Sequence, residues 1–324
     1  MIRTLPEEDP ELVDVWQAPV TAVLTRQESA GLVGVTGAAS VAIRPLLLGQ
    51  PRQLAVLAAF PSAIYLTTGD GVVVALVGTN AVRLPCAVVL GSELPDLLQV
   101  AAQHTTHGAS VGTGGVAVGQ LRVEVARWWL PMPPAPPPDS TVLSRGLAAL
   151  SARLSVQQHR LLRVVADGLR RLEAAVRTRD NRIAADATLN LLGLGPGLTP
   201  SGDDVLAGLL VGLYHLDWSR GVDSARSNSR LQPPISVVRD AIATRVLVDA
   251  PTRTSTLSAA LLGHAARGEA AGEVTAVLNS LCGRRPLSPA LMRLLAVGHT
   301  SGYDMACGIL AAGRVLLGQR DPGT

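Results

Sequence analysis

The stretch LPMPPAPPPD, Leu130 to Asp139, carries six prolines in ten residues. Proline fixes φ and lacks a backbone N–H, so this run continues neither a helix nor a central strand and acts as a semi-rigid spacer. The sequence changes character across it. Upstream lie short β-branched runs: GLVGVTGAASVAIRPL from Gly31, QLAVLAAF from Gln53, AIYLTT from Ala63, GVVVALVG from Gly71, VRLPCAVVL from Val82 and GGVAVG from Gly114. Turn signals such as Gly69-Asp70-Gly71 and Asn80 separate them. LRVEVARWW from Leu121 alternates Leu121, Val123 and Val125 with polar positions, the period of a half-buried strand. One helix is predicted around 93–103.

Downstream the period becomes helical. Leu143, Leu147, Leu150, Leu154, Leu161, Leu162, Val165, Leu169 and Leu172 recur at mostly three- and four-residue steps across 140–177. The polar pair Asp180-Asn181 breaks that pattern, and shorter helices are expected at 183–192, 203–218, 235–248, 255–267, 272–281, 288–296 and 302–317. The segment 219–234 reads as a polar loop. The predicted fold is α+β: a β-rich barrel or sandwich-like domain over 1–130, a proline-rich linker over 131–139, and an all-helical domain over 140–324.

Composition removes several classes of function. All 28 basic residues are arginine. Without lysine there is no Walker-type phosphate loop, Schiff base or lysine general base. Aromatic residues are 2% of the chain, too few for a stacking platform, and no basic run exceeds two residues, so no nucleic-acid partner is expected. The N-terminus, MIRTLPEEDPELVDVW, has no apolar signal region. The longest apolar run, Val205 to Leu216, falls short of the ~20 residues a membrane span needs. Cys86, Cys282 and Cys307 are scattered and read as buried small hydrophobes in a reducing compartment. A soluble, cytoplasmic protein is expected.

GLGPGLTPSGDD, 193–204, carries the chemistry. Its three odd-numbered glycines open backbone angles closed to other residues and let main chain approach a ligand. The loop feeds a helix N-terminus, whose N–H groups and dipole suit an anion. Ser201 with Asp204 three residues later also has capping-box spacing, so capping alone is a competing explanation. SGYDMACGIL from Ser301 repeats SGDDVLAGLL from Ser201 at an offset of 100 residues. A third segment, TRTSTLSAALLGHAARGE from Thr252, supplies hydroxyls at another helix start. Asp203 and Asp204 would repel a ligand that is anionic throughout. A ligand with an amide or carbamoyl NH₂ at one end and an acid at the other suits both features; a Mg²⁺-bridged anion is the alternative. His299 is a base or a loop histidine, while His104, His107, His159, His215 and His264 read as structural or surface residues.

In the order of these motifs the chain resembles the AllH-type family, across about Leu191 to Leu310. The resemblance implies a subunit of oxamate carbamoyltransferase, converting oxalurate and phosphate to oxamate and carbamoyl phosphate alongside FdrA- and AllG-type subunits. The family's characteristic positions fall here on Gly195, Gly197, Thr199, Ser201, Gly202, Asp203, Asp204, Thr254, Ser258, Gly298, Ser301, Gly302 and Asp304. Cys307 and the arginine-bearing loop 219–234 depart from its pattern. On this reading Asp203, Asp204, Asp304 and His299 are the catalytic candidates. Gly195, Gly197, Thr199, Ser201, Gly202, Arg253, Thr254, Ser255, Thr300, Ser301 and Gly302 would bind substrate. No cofactor is implied beyond a possible Mg²⁺. A non-catalytic scaffold subunit, and a hydrolase or isomerase of small carbonyl compounds using Asp203 and Asp204 as acid and base, stay open beside it.

Overall fold

The structure is a computed structural model that describes residues 25–26, 33–91, 108–132, 139–217 and 234–318. The predicted helix at 93–103, most of the proline run and the loop 219–234 lie outside them. The chain divides into two compact units, Met1–Pro131 and Met132–Thr324. No helix among the described residues is long and apolar enough to cross a membrane.

The first unit is a barrel. A two-residue strand β1 (Thr25–Arg26) pairs with β2 (Val33–Ser40), and β3 (Arg52–Phe60), β4 (Ala63–Thr67), β5 (Val73–Val77), β6 (Ala87–Leu90), β7 (Ala109–Gly112), β8 (Gly115–Val118) and β9 (Leu121–Trp129) follow. The order β2-β6-β5-β4-β3-β7-β8-β9 closes through β2 onto β9, giving eight strands and settling barrel over sandwich. Most neighbours are antiparallel; the closing pair and β5–β6 are parallel. Leu121 and Val123 point inward as their alternation requires; past a register shift opposite Gly37/Ala38 the alternation ends, and Trp128 and Trp129 are both buried. The tail of the first strand run is not strand: Val41–Ile43 is a 3₁₀ turn, and α1 (Arg44–Leu48) starts where Pro45 fits the first helical turn.

The second unit is all-helical: α2 (Ser140–Ser155), α3 (Arg163–Thr178), α4 (Asn181–Leu191), α5 (Ser201–His215), α6 (Ile235–Arg253), α7 (Thr256–Ala266), α8 (Gly272–Leu281), α9 (Leu287–Leu295) and α10 (Ser301–Leu317). The leucine periodicity over 140–177 is two helices rather than one. The break is stabilised by Arg160, whose guanidinium donates to the carbonyls of Ser155 (2.8 Å) and His159 (2.8 Å) and to that of Gln157, taking up carbonyls left over where α2 ends. Asp180 does more than interrupt the pattern: its carboxylate accepts from the Ile183 amide at 2.9 Å and caps α4.

Helices α5 and α10 form the centre. Val205, Leu206, Leu209, Leu210 and Leu213 of α5 are buried, each contributing roughly 1.5–3 kcal/mol of apolar burial. The two helices meet through glycine. A Cβ on Gly208 would lie 2.1 Å from the Met305 carbonyl oxygen, and one on Gly308 would lie 2.2 Å from that of Val205. These contacts exchange under the 100-residue offset: Gly208 meets residue 305, and Gly308 meets residue 205. The sequence repeat is therefore a structural one. Two parallel helices, packed main chain to main chain, begin side by side.

Candidate functional site

Each of these helices is entered by a glycine loop shaped for the entry itself. Gly193 has φ 73°, and a Cβ there would lie 2.1 Å from the Arg253 carbonyl oxygen. Gly195 has φ 124° and sits against the Ser201 amide. Gly197, at φ 96°, faces open space. Gly202 and Gly302 answer each other: a Cβ on Gly202 would meet the Leu191 carbonyl at 2.1 Å, and one on Gly302 that of Leu294 at 1.7 Å. Both are small because the helix start is pressed against the end of the helix before it.

Capping accounts for neither serine–aspartate pair. Ser201 is the first residue of α5, behind Pro200 as N-cap, and no side chain caps the helix. The amides of Asp203 and Asp204 donate instead to the Pro200 carbonyl at 2.9 and 3.1 Å. At α10 the N-cap is Thr300, again without a side-chain bond, and the Asp304 amide takes the Thr300 carbonyl at 3.0 Å. The acids at 204 and 304 are thus not spent on their own helix ends.

Asp203 is spent elsewhere. It is buried, and its Oδ1 accepts the Gly193 amide at 2.8 Å. Its Oδ2 accepts the hydroxyls of Ser258, at 2.7 Å, and Thr254. One carboxylate therefore ties the glycine loop, the end of α6 and the first turn of α7 to α5. Ser255 caps α7, accepting the Ser258 amide at 3.0 Å while donating to the Leu198 carbonyl at 2.5 Å. Thr254, Ser255 and Ser258 hold the loop in place.

Asp204 and Asp304 behave differently. Asp304 is completely buried, and neither of its carboxylate oxygens has a hydrogen-bond partner; Oδ2 of the buried Asp204 has none either. A buried carboxylate without donors is costly in its charged form. Burial pushes Asp204 up to about 8; the Ser301 and Thr199 hydroxyls oppose the rise, and the charges of Asp304 and Asp203 add to it. Burial raises Asp304 as well, against the hydroxyls of Ser201 and Thr300 and the His159 ring. The influences cross between the arms, Ser301 acting on Asp204 and Ser201 on Asp304. Thr199 Oγ1 and Ser301 Oγ, 2.9 Å apart, join the two helix starts directly.

The remaining predicted residues are not brought here. His299 is exposed. Arg253 is exposed at the end of α6, and what it contributes to the loop is its carbonyl beside Gly193. The Gly202 amide already donates to the Leu194 carbonyl at 2.8 Å. The histidine at the site is His159, from the loop between α2 and α3, whose Nε2 lies 3.6 Å from Asp304 Oδ1 with no hydrogen-bond partner. Its ring stands edge-on to Tyr303, centroids 5.0 Å apart. No spacing in the sequence links residue 159 to residue 304. Cys307 is half-buried rather than buried, as is Cys282, and burial pushes its thiol up to about 12, so it is no thiolate nucleophile at neutral pH.

Among the described residues no group of three or more His, Cys, Asp or Glu side chains forms a metal-ligand set. What the arrangement offers is a pair of buried acceptors at the start of two helices, holding a proton near neutral pH, with an imidazole beside one of them. It suits a ligand that donates N–H groups.

Residues 191–313 match the family model of the oxamate carbamoyltransferase subunit AllH. The matched stretch runs from the last residue of α4 into α10 and takes in both glycine loops, both helix starts and the Asp203 clamp, which are the positions that carry the resemblance in the sequence. No solved structure matches the chain.

Proposed function

We propose, from the match to the AllH subunit and from the buried carboxylates it encloses, that this chain is the carbamoyl-binding subunit of a cytoplasmic carbamoyltransferase complex. The reaction is oxalurate and phosphate to oxamate and carbamoyl phosphate. One observation carries the reading: at equivalent positions of two repeated helix starts, both oxygens of Asp304 and Oδ2 of Asp204 are buried without a hydrogen-bond partner. A carbamoyl or ureido group supplies the donors. Asp204 and Asp304 accept the NH₂, and Thr199, Ser201 and Ser301 complete its hydrogen bonds.

The chemistry needs one proton moved. An oxygen of hydrogen phosphate attacks the ureido carbon and releases its proton to solvent; the bond from that carbon to the imide nitrogen breaks; the leaving nitrogen takes a proton and becomes the amide of oxamate. A carboxyl kept protonated at neutral pH by burial is suited to donate it. Phosphate binds elsewhere in this reading. The acid pair repels it, the Gly202 amide is occupied, and Arg253 is exposed at the end of α6. A partner subunit, of the FdrA or AllG type, supplies that cationic half. A Mg²⁺ bridging the carboxylates to phosphate is the competing arrangement, and its signature is rate dependent on the divalent ion.

The test is phosphorolysis of oxalurate by the pure chain and by the chain mixed with FdrA- and AllG-type subunits, in the presence and absence of a chelator. Activity is expected in the mixture, unaffected by chelation, with Asp304→Asn lowering kcat by about 10²-fold or more. Full activity of Asp304→Asn in the mixture would leave the chain a scaffold. Hydrolysis of oxalurate by the chain alone would favour the small-carbonyl hydrolase.

A further inference from the structure

The carboxylate pair lies below the surface. Asp304 is completely buried and Asp204 nearly so. If the pair gives up a proton to a leaving nitrogen in each turnover, a proton must return to it. Around Asp304 the titratable and charged groups are Asp203 and Asp204 from α5, Tyr303 and Cys307 from α10 itself, and His159 and Arg160 from the loop between α2 and α3. Asp203 is saturated by three donors. Burial raises Tyr303 above the usual phenol range and Cys307 far above neutrality, so neither exchanges protons readily at pH 7. Arg160 stays charged and is engaged with backbone carbonyls.

His159 differs from all of these. Its Nε2 is buried and unpartnered, facing Asp304 Oδ1 at 3.6 Å, yet the side chain as a whole is 36% exposed. The ring therefore spans from the buried pair to the surface. Imidazole carries protons in both directions near neutral pH, binding one at either nitrogen. The Tyr303 edge-to-face contact fixes the ring plane in that position.

We infer that His159 is the proton-exchange residue of the site, passing protons between solvent and the Asp204–Asp304 pair through Asp304. The inference rests on the pair being the working centre of the proposed function. The step balances without another reactant. After the pair has protonated the leaving nitrogen it is doubly ionised; the imidazolium of His159 gives its Nε2 proton to Asp304 Oδ1, and neutral His159 regains from solvent a proton that matches the one the attacking hydrogen phosphate released. His159 is a positioning and relay residue; the ligand is held by the carboxylates.

The experiment compares His159→Gln, His159→Ala and Asp304→Asn in the mixture of subunits that turns over oxalurate. Replacing His159 by Gln is expected to lower kcat by about 10²-fold with KM changed by no more than about twofold, and to remove the ionisation that the histidine contributes to the pH profile. Added imidazole is expected to restore His159→Ala, with substituted imidazoles ranking by basicity, and to do nothing for Asp304→Asn. If Asp304→Asn is inactive while His159→Gln keeps full rate and profile, the relay is overturned and the pair stands. A slow His159→Ala that imidazole fails to restore also overturns it, because the ring would then only pack against Tyr303. If Asp304→Asn keeps full rate, both readings fall. The chain alone gives a second readout through selectively ¹⁵N-labelled histidines, with the His159→Gln spectrum assigning the signal. Asp304→Asn should move the His159 Nε2 signal, because that atom faces Asp304 Oδ1 at 3.6 Å. An unmoved signal overturns the coupling.

Discussion

The two helix starts, Ser201 to Asp204 and Ser301 to Asp304, share serine, glycine and the final aspartate but differ at the third position, Asp203 against Tyr303. At 203 the carboxylate faces outward from the helix pair and is consumed by Gly193, Thr254 and Ser258. At 303 the phenol ring packs against His159. One arm is bound down by hydrogen bonds to its neighbours. The other is backed by a ring pair reaching toward solvent. Between them, both oxygens of Asp304 and one of Asp204 are left without hydrogen-bond partners. The repeat thus supplies a matched pair of acceptors, and the position where it fails decides what each arm leans on.

Removing the clamp should have the largest effect on stability. Asp203→Ala leaves the Gly193 amide and two hydroxyls unpaired, an expected loss of about 4 kcal/mol, or ~8–16 °C in Tm by thermal melt. A loss as small as that from Tyr303→Phe would erase the distinction between the arms.

The glycine crossing comes next. Gly208→Ala and Gly308→Ala force a methyl against backbone and should each cost about 3 kcal/mol in denaturant unfolding. Gly313→Ala, whose added carbon meets only the Leu147 side chain, should cost ~1 kcal/mol.

The acid pair is probed through pH. The folded state holds the Asp204 proton up to about 8, far above an unfolded aspartate near ~3.9, so the folded state binds more protons across that window. The stability tied to this group is complete below the unfolded value and is lost as pH rises toward 8. Asp204→Asn removes the dependence. The Tm difference between variant and parent should be near zero at pH 4–5 and grow to about 5 °C in favour of the variant by pH 8. A difference independent of pH would mean that Asp204 is ionised in the folded state.

Tyr303→Phe should change stability least, by under ~1 kcal/mol, since the ring contact with His159 survives.

The fold was largely legible because its signals are local. Six prolines in ten residues continue neither a helix nor a central strand, and the period of two in LRVEVARWW predicts an inward face for Leu121 and Val123. The offset repeat pointed to Asp204 and Asp304 because a motif that packs against its own copy must preserve its small residues. What stayed hidden depended on tertiary placement. Ser201 and Asp204 have the spacing of a capping box, yet Pro200 takes the N-cap position and the hydroxyl turns across to the other arm. The break between α2 and α3 has no glycine or proline; a guanidinium from inside the loop stabilises it. His159 rides in that same loop, 145 residues before Asp304. The charge of Arg253 suggests a phosphate contact, whereas in the structure the residue is exposed and its carbonyl lies beside Gly193.

The contact of α5 with α10 also fixes a length. Helices that meet through side chains drift apart or together as those side chains change, since cores repack within the volume available. Here the spacing is set by peptide groups at Gly208 and Gly308, whose dimensions no substitution elsewhere alters. The separation between the two acids one turn above that crossing is thereby calibrated by main chain. Surrounding residues can vary while the spacing of the two helix starts stays the same.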